Sequence, residues 1–347
     1  MKKTGIGKIL EVVVTAALAA ALLLTGCSQA EQAPSGEGRG APVSNETESH
    51  KPQVIATLFP QYDFAKQIAG DKADVILLLP PGSESHSYEP TPSDMIKIHK
   101  ADVFLYTGES MEAWSHKLTQ GLESDNSKCL VVDVSRGVPL VRTADIEKEH
   151  EHEHADGDHS DGEHPESEHS HIYDPHIWTD PQLAKIMVLN ILEGLCSADP
   201  ENADVYRANA AEYVKELDGL DQEFKTIINN AKRNEVIFGS RFAFYYFVKR
   251  YGLDYESAFD SCSAETEPSA RTVKLLIDEI KEKKIPVIFY AELEEPKTAK
   301  ALSTETGAKL LMLHSCHNVT KDEWERGATY LSLMKQNAEN LKEGLSQ

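Results

Sequence analysis

Histidine and carboxylate side chains alternate along residues 147–171 more densely than anywhere else in the chain. This His-rich loop, EKEHEHEHADGDHSDGEHPESEHSH, holds ten carboxylates, one lysine and seven of the 14 histidines. Imidazoles bind zinc and carboxylates attract cations, so the composition predicts a metal-attracting segment without a single coordination geometry. The alternative is an acidic linker with incidental histidines, and both interpretations predict a mobile loop. The seven histidines are His150, His152, His154, His159, His164, His169 and His171.

Three other histidines stand beside predicted strand ends or in stiff loops. His86 lies in PPGSESHSYEPTPSD, a loop rich in proline that follows a predicted strand. His176 lies in the aromatic segment YDPHIW after the His-rich loop, and His314 directly follows the last predicted strand. Because α/β folds hold ligands outside the carboxyl ends of strands, we expect His86, His176 and His314 to converge on one metal ion.

Alternating strand and helix patterns must position these histidines. In the first half, helical patterns at 61–69, 93–99 and 111–122 lie between short apolar runs. This βαβα order predicts a mostly parallel sheet covered by helices. The predicted strands are Gln53–Thr57, Asp74–Leu79, Val103–Thr107 and Cys129–Val134.

The same pattern returns after residue 234 and predicts a second, similar lobe. Its helical patterns lie at 242–251, 269–283, 297–305 and 323–343. The predicted strands are Glu235–Gly239, Asp254–Phe259, Pro286–Tyr290 and Lys309–Leu313.

A long helical pattern separates the two halves. Apolar residues recur at steps of three and four from Ala203 to Phe224, Asp199 can cap the helix, and Pro200 suits its first turn. Extended to Arg233, the helix would span roughly 50 Å. We therefore predict an α/β fold with two similar lobes of parallel sheets flanked by helices, joined by one long rigid helix, with the metal site in the interlobe cleft.

The amino-terminal residues predict export and lipidation. Three lysines precede the apolar run Val12–Leu24, which is too short to cross a bilayer, and Leu24-Thr25-Gly26-Cys27 resembles the lipobox of bacterial lipoproteins. We expect Cys27 to carry the lipid and anchor the protein to the outer face of the cytoplasmic membrane. The predicted regions are a signal peptide at 1–26, a flexible tether at 27–51, a first lobe at 52–198, a linking helix at 199–233 and a second lobe at 234–347.

The charge and the cysteines narrow the function classes. A formal net charge of −22 argues against nucleic-acid binding, which requires a basic surface. The cysteines other than Cys27 show no CxxC spacing typical of zinc sites. If a disulfide forms outside the membrane, we expect it between Cys262 and Cys316, although the spacing does not fix the pairing.

The same histidine segments carry a family resemblance. Over residues 52–345 the chain resembles the solute-binding lipoproteins of ABC-type zinc and manganese importers. PPGSESHSYEPTPSD resembles the family loop whose histidine binds the metal, which implies His86 as a ligand, and DPHIWTDP resembles the motif that implies His176. The His-rich loop resembles that of zinc-specific members. The fourth family ligand follows the last strand, where His314 holds the matching position.

One position departs from this resemblance. The family's third ligand, His or Glu, matches Arg241, and a guanidinium has no lone pair for a metal. Either water completes the shell or a residue of SCSAETEPS replaces the lost ligand. Glu265 is the first candidate, with Arg241 orienting it as a hydrogen-bonding partner. The remaining candidates are Glu267, Cys262, His317 and Glu292.

The resemblance implies capture of a metal outside the membrane and delivery to an ABC permease that an ATPase powers, by a monomer that is not an enzyme. Three imidazoles and one carboxylate suit Zn(II), while Mn(II), which prefers more oxygen ligands, is the second choice. A zinc hydrolase would also use three histidines, but the sequence has no HExxH helix. A surface adhesin or metal-buffering lipoprotein is the other alternative.

Overall fold

Two parallel β-sheets of four strands each form the centres of two lobes in this computed structural model, which describes residues 51–146, 172–259, 268–293 and 295–346. The predicted signal peptide, tether and His-rich loop lie outside the described residues. The chain divides into two units, residues 1–49 and 50–347, and both lobes belong to the second. Within the described ranges, no helix has the length and apolar character that a membrane span requires.

The first sheet has the strand order β2-β1-β3-β4, and all neighbouring strands are parallel. Its central strands are apolar on both faces: Val54 and Val103 pack on one side, Ile55 and Phe104 on the other. Helices therefore cover both faces, as is usual for parallel sheets. The strands are β1 (Gln53–Ala56), β2 (Asp74–Leu77), β3 (Val103–Tyr106) and β4 (Leu130–Asp133). The helices are α1 (Phe59–Ala69), α2 (Pro92–Lys100), α3 (Ser115–Ser124) and α4 (Pro181–Ala198).

The second sheet repeats this topology in the order β6-β5-β7-β8. Ile237 and Ile288 face a small core under two helices, whereas Phe238 and Phe289 face the main core. The strands are β5 (Glu235–Arg241), β6 (Asp254–Phe259), β7 (Val287–Tyr290) and β8 (Lys309–Met312). The helices are α6 (Tyr245–Tyr251), α7 (Ala270–Glu282), α8 (Lys297–Thr306), α9 (Lys321–Glu325) and α10 (Tyr330–Leu345).

The long helix α5 (Ala203–Asn229) has 27 residues, about 40 Å, and connects the lobes. Asp199 accepts a hydrogen bond from the Asn202 backbone N–H of the short 3₁₀ turn that precedes it, as its predicted capping role requires. The helix packs against α1 and α4 in the first lobe and against α10 in the second. All seven predicted apolar-face residues are buried: Ala203, Tyr206, Ala210, Tyr213, Leu217, Leu220 and Phe224.

One continuous core joins the lobes. Tyr330 at the start of α10 is fully buried against Phe64 of α1, with ring centroids 4.9 Å apart. Its hydroxyl donates to the Trp178 carbonyl at 2.6 Å, and its backbone N–H donates to Asp63 Oδ2 at 3.0 Å. Tyr213 of α5 donates to the same Asp63 oxygen at 3.3 Å. The Asp63 side chain of the first lobe therefore binds both the linking helix, through the Tyr213 hydroxyl, and the second lobe, through the Tyr330 backbone.

The predicted strands all occur, with ends that differ by at most two residues. Some helix predictions are wrong. Residues 181–198 form α4, where no element is predicted, because this helix is buried on most sides and shows no clear polar face. The helix predicted at 323–343 is divided into α9 and α10, since Gly327 adopts a left-handed φ of 69° and Thr329 caps a new helix. The helix predicted at 111–122 begins only at Ser115, and the one predicted at 242–251 begins at Tyr245.

Candidate metal centre

Three imidazoles converge at the junction of the lobes. Their ligand nitrogens, one each from His86, His176 and His317, all lie within 4.8 Å of one another. The Nε2 atoms of His86 and His317 are 3.2 Å apart. His176 is 1% exposed, and the other two are half-buried. In the described part of the chain, no fourth His, Cys, Asp or Glu joins this cluster.

Each histidine belongs to a segment that a regular element holds in place. His86 lies between β2 and α2, and the loop after it is closed by Asp94, which accepts hydrogen bonds from Thr91 Oγ1 at 2.7 Å and Tyr88 at 3.3 Å. His176 immediately precedes a 3₁₀ turn, Ile177–Thr179, that leads into α4. His317 follows β8 and precedes α9. The site therefore lies outside the carboxyl ends of strands, as predicted.

An acidic partner orients His176. Asp174 Oδ1 lies 2.9 Å from His176 Nδ1 and also accepts the His176 backbone N–H at 2.8 Å. An ionised carboxylate only accepts hydrogen bonds, so Nδ1 carries the imidazole proton. The lone pair is then on Nε2. A carboxylate in this position fixes the ring and makes a ligating histidine more basic.

A relay of two side chains orients His317. Its Nδ1 contacts Ser315 Oγ, and that hydroxyl contacts Glu292 Oε1 at 2.5 Å. The backbone N–H of Ser315 donates to the second oxygen of Glu292 at 2.7 Å. Because the hydroxyl proton goes to the carboxylate, the hydroxyl oxygen accepts from Nδ1 of His317. Nε2 of His317 is therefore also available as a ligand.

The environment of His317 favours its neutral form. Burial, followed by the nearby imidazoles of His176 and His86, lowers the pKa of His317 well below its usual range. A metal ion binds the unprotonated imidazole, so no proton has to leave His317 before a cation binds at neutral pH.

Hydrogen bonds between the lobes hold the segment that carries His317. The Asn318 side chain donates to the carbonyls of Pro80 and Ser83 at 2.8 and 3.0 Å, in the loop that carries His86. The Trp178 indole donates to the Ser315 carbonyl at 2.7 Å. The Phe59 backbone N–H donates to the carbonyl of His317 at 3.2 Å. Direct hydrogen bonds between the lobes therefore hold the segments that carry the three imidazoles.

Arg241, the last residue of β5, faces the same site. It lines a cavity of about 450 Å³ together with His86, His176 and His317. Its Nη1 lies 3.8 Å from Glu84 Oε2, across the cleft in the first lobe. Arg241 is thus at the site but brings a positive charge that repels a cation.

We expect His314 to be the ligand after β8, but the structure brings His317, and not His314, to His86 and His176. His314 Nδ1 already accepts the Cys316 backbone N–H at 3.0 Å, and the ring is not part of the cluster. The segment HSCHN offers two histidines, and their spacing does not show which of them faces the cleft.

The remaining predicted site residues lie mostly outside the described part. Glu265, Glu267, Cys262 and the seven histidines of the His-rich loop are among them, as is Cys27. Cys316 is a buried free thiol, so the structure does not contain the predicted disulfide with Cys262.

Comparisons with known proteins identify the family. The chain is 35% identical over 302 residues to the high-affinity zinc uptake system protein ZnuA of Bacillus subtilis, covering 87% of this chain and 90% of that protein. It is 31% identical over 327 residues to the zinc-binding lipoprotein AdcA of Streptococcus pneumoniae. That match covers 94% of this chain and 59% of AdcA. The crystal structure of the Zn(II)-bound ZnuA-like domain of AdcA superposes with a TM-score of 0.69 at 30% identity, over 86% of this chain and all of that one. Since residues 54–344 match the family described as zinc-uptake complex component A, periplasmic, the chain belongs to the ZnuA family.

Proposed function

We propose that this protein binds Zn(II) outside the cytoplasmic membrane and delivers it to an ABC-type importer. The observation that supports this most is the convergence of His86, His176 and His317 at the lobe junction, with two of the three imidazoles oriented through Nδ1. Membership of the ZnuA family supports transport as the context. The partners we propose are a permease and its ATPase. The protein would act as a monomer that catalyses no reaction.

Zinc is the metal that this donor set favours. Three imidazole nitrogens within 4.8 Å of one another suit the tetrahedral shell that Zn(II) adopts at about 2.0–2.1 Å from nitrogen. Mn(II) lies at the weak end of the divalent series and prefers oxygen ligands. We therefore expect the site to prefer zinc over manganese.

Glu265 remains our candidate for the fourth ligand. A carboxylate there would neutralise part of the zinc charge and could accept hydrogen bonds from Arg241, which already faces the cavity. Arg241 has five N–H donors, so one guanidinium can contact more than one carboxylate.

The protein would be held at the membrane by a lipid on Cys27, and residues 28–51 would serve as a tether. The His-rich loop would then collect zinc weakly near the cleft, since its many ligands have to be ordered for each ion that they bind. The cleft histidines need no such ordering because hydrogen bonds between the lobes already hold their segments.

Zinc titration of purified protein tests the proposal. Each of His86→Ala, His176→Ala and His317→Ala should weaken binding at least about 100-fold, more than the loss of an outer hydrogen-bonding partner. His99→Ala is the matched control, because His99 is exposed and pairs with Asp125 away from the site. Glu265→Gln should also weaken binding, and Arg241→Ala should have a smaller effect than the loss of a histidine.

Uptake by cells separates the alternatives. Deletion of the gene should reduce zinc accumulation in medium with little zinc, and the wild-type gene should restore it, whereas the His317→Ala gene should not. Unchanged accumulation with reduced surface attachment would favour an adhesin. Zinc-dependent hydrolysis by the purified protein would favour the hydrolase.

A further inference from the structure

His314 is nearly as buried as His176 but makes a different set of contacts. It is 1% exposed, and its backbone is fixed in both directions by Asn337 of α10. The His314 N–H donates to Asn337 Oδ1 at 2.7 Å, and Asn337 Nδ2 donates to the His314 carbonyl at 2.8 Å. The ring nitrogen Nδ1 accepts the Cys316 backbone N–H at 3.0 Å. The side chain therefore forms a short turn with the backbone two residues ahead.

This turn contains an unfavourable backbone conformation. Cys316 has a φ of 61°, a left-handed value that residues with a Cβ rarely adopt. Its thiol contacts the His314 carbonyl at 3.6 Å, and its N–H is bound by the His314 ring. Two of the contacts that hold Cys316 in this conformation therefore come from His314. The residue that follows the turn is His317.

Carboxylates lie on both sides of the His314 ring. Glu292 Oε1, which belongs to the relay that orients His317, is 3.6 Å from Nδ1. Glu323 Oε2 is 3.5 Å from Nε2 and also accepts hydrogen bonds from Thr320 at the start of α9. His314 thus contacts the loop after β7 through Glu292 and helix α9 through Glu323.

We propose that His314 is a positioning residue for the zinc ligand His317. Its Nδ1 accepts the Cys316 N–H and thereby holds the left-handed turn that directs His317 into the cleft. The inference rests on the proposed function insofar as His317 binds zinc. Without an acceptor at residue 314, Cys316 would relax toward ordinary φ values. His317 and its partner Ser315 would then move, because they flank Cys316 on either side.

Two substitutions of His314 distinguish the effect of its hydrogen-bond acceptor from the effect of its size. Asparagine can accept the backbone N–H two residues ahead, as in an Asx turn, whereas leucine has a similar branched shape and no acceptor. We expect His314→Leu to weaken zinc binding about 10- to 100-fold, the range for loss of a group that orients a ligand. His314→Asn should stay within about threefold of the wild type, since its amide oxygen restores the acceptor.

Zinc affinity is measured by competition with a chromophoric chelator, and the visible absorption of the Co(II)-loaded protein reports the metal geometry. His314→Leu should change this spectrum, a result that lower fold stability alone would not produce in protein shown by circular dichroism to be folded. If His314→Leu does not fold, His314→Ala, which also lacks the acceptor, takes its place against His314→Asn.

Three results would overturn the inference. The first is zinc affinity of His314→Leu within twofold of the wild type. The second is His314→Asn as weak as His314→Leu, which would show that the acceptor is not what matters. The third is X-ray absorption that shows one fewer imidazole on the metal in His314→Asn, which would make His314 a ligand. A wild-type protein that binds no zinc would instead refute the proposed function.

Discussion

Two histidines in the described part of the chain have similar carboxylate partners at Nδ1 but differ in what surrounds Nε2. Exposed His116 pairs with Glu109 at 2.6 Å, much as buried His176 pairs with Asp174 at 2.9 Å. Only the second pair leaves Nε2 facing two other imidazoles. A carboxylate partner therefore fixes the tautomer of a histidine, whereas convergence with other ligands makes a metal site.

Replacing Asp174 by Asn should lower zinc affinity about 10- to 100-fold. The amide is nearly isosteric, but it has no charge to strengthen the hydrogen bond from His176 Nδ1, and it can rotate to present its NH₂ group to the ring. Competition with a chromophoric chelator measures the effect. Asp204→Asn is the control, because the Asp204 side chain is fully exposed and pairs with Arg207 at the surface. Equal affinities of the two variants would show that Asp174 does not support the ligand.

Strand β5, which ends at Arg241 beside the cavity, packs unusually closely on α8. A Cβ on Gly239 would lie 2.5 Å from the Cβ and 2.6 Å from the Cα of Ala299. The closeness of the helix backbone explains a glycine at a position where β5 would otherwise favour a branched residue. Gly239 also lines the cavity beside the three histidines.

Gly239→Ala should lower the free energy of unfolding by about 1–3 kcal/mol, because α8 must move away from the strand. Gly219→Ala makes the same chemical change in the exposed middle of α5, where nothing lies within 4 Å of the added Cβ. It should raise the free energy of unfolding by roughly 1 kcal/mol through helix propensity. Urea unfolding of the metal-free proteins measures both. If both substitutions change the free energy of unfolding in the same direction, the packing argument is contradicted.

The two lobes share one core in this structure. Asp63 lies at their junction: it is 3% exposed and accepts hydrogen bonds from Tyr213 of α5 and from the Tyr330 backbone of the second lobe. Burial, partly offset by these hydrogen bonds, raises the pKa of Asp63 to about 6. The buried junction therefore favours a protonated carboxyl group at mildly acidic pH.

The contribution of Asp63 to stability should be greatest near pH 4 and should decrease as the pH rises to about 6. An unfolded chain loses this proton near pH 4, whereas the folded chain retains it up to about 6, so raising the pH favours unfolding by at most roughly 3 kcal/mol. Asp63→Asn should remove this part of the pH dependence. Urea unfolding of metal-free protein at pH 4 and pH 7 measures it, with the exposed Asp71→Asn variant as control. The prediction is contradicted if the free energy of unfolding of Asp63→Asn changes between pH 4 and pH 7 as much as that of the wild type.

Deletion of residues 148–170 should leave one tight zinc site and remove weaker ones. Hydrogen bonds between the lobes hold the segments of the predicted tight site, whereas the sequence predicts a mobile loop whose ligands would have to be ordered for each ion. Calorimetric titration of the full chain and the deletion variant measures the number of sites. Loss of the tight site on deletion would show that the loop supplies an essential ligand.

Local patterns were sufficient to predict the eight strands, the two lobes and the apolar face of α5. Parallel strands that are buried on both faces appear as short continuous apolar runs. A helix that packs along one side has apolar residues at steps of three and four. In helix α4 this pattern is obscured, because apolar residues such as Leu189, which is exposed, also lie on its outer side. His86 and His176 were predictable for a similar reason, since each lies in a distinctive local segment.

The choice between His314 and His317 depends on contacts with residues far away in the sequence. Asn337 holds the backbone of His314, Asn318 ties the next segment to the first lobe, and Glu292 reaches His317 through Ser315. These partners lie 23 residues or more from the groups that they hold. A ligand's residue type and its nearby turn are local properties, whereas the direction of its lone pair follows from the packing of several elements around it. The sequence therefore identifies the segment that supplies the ligand, and the folded arrangement of both lobes selects the histidine.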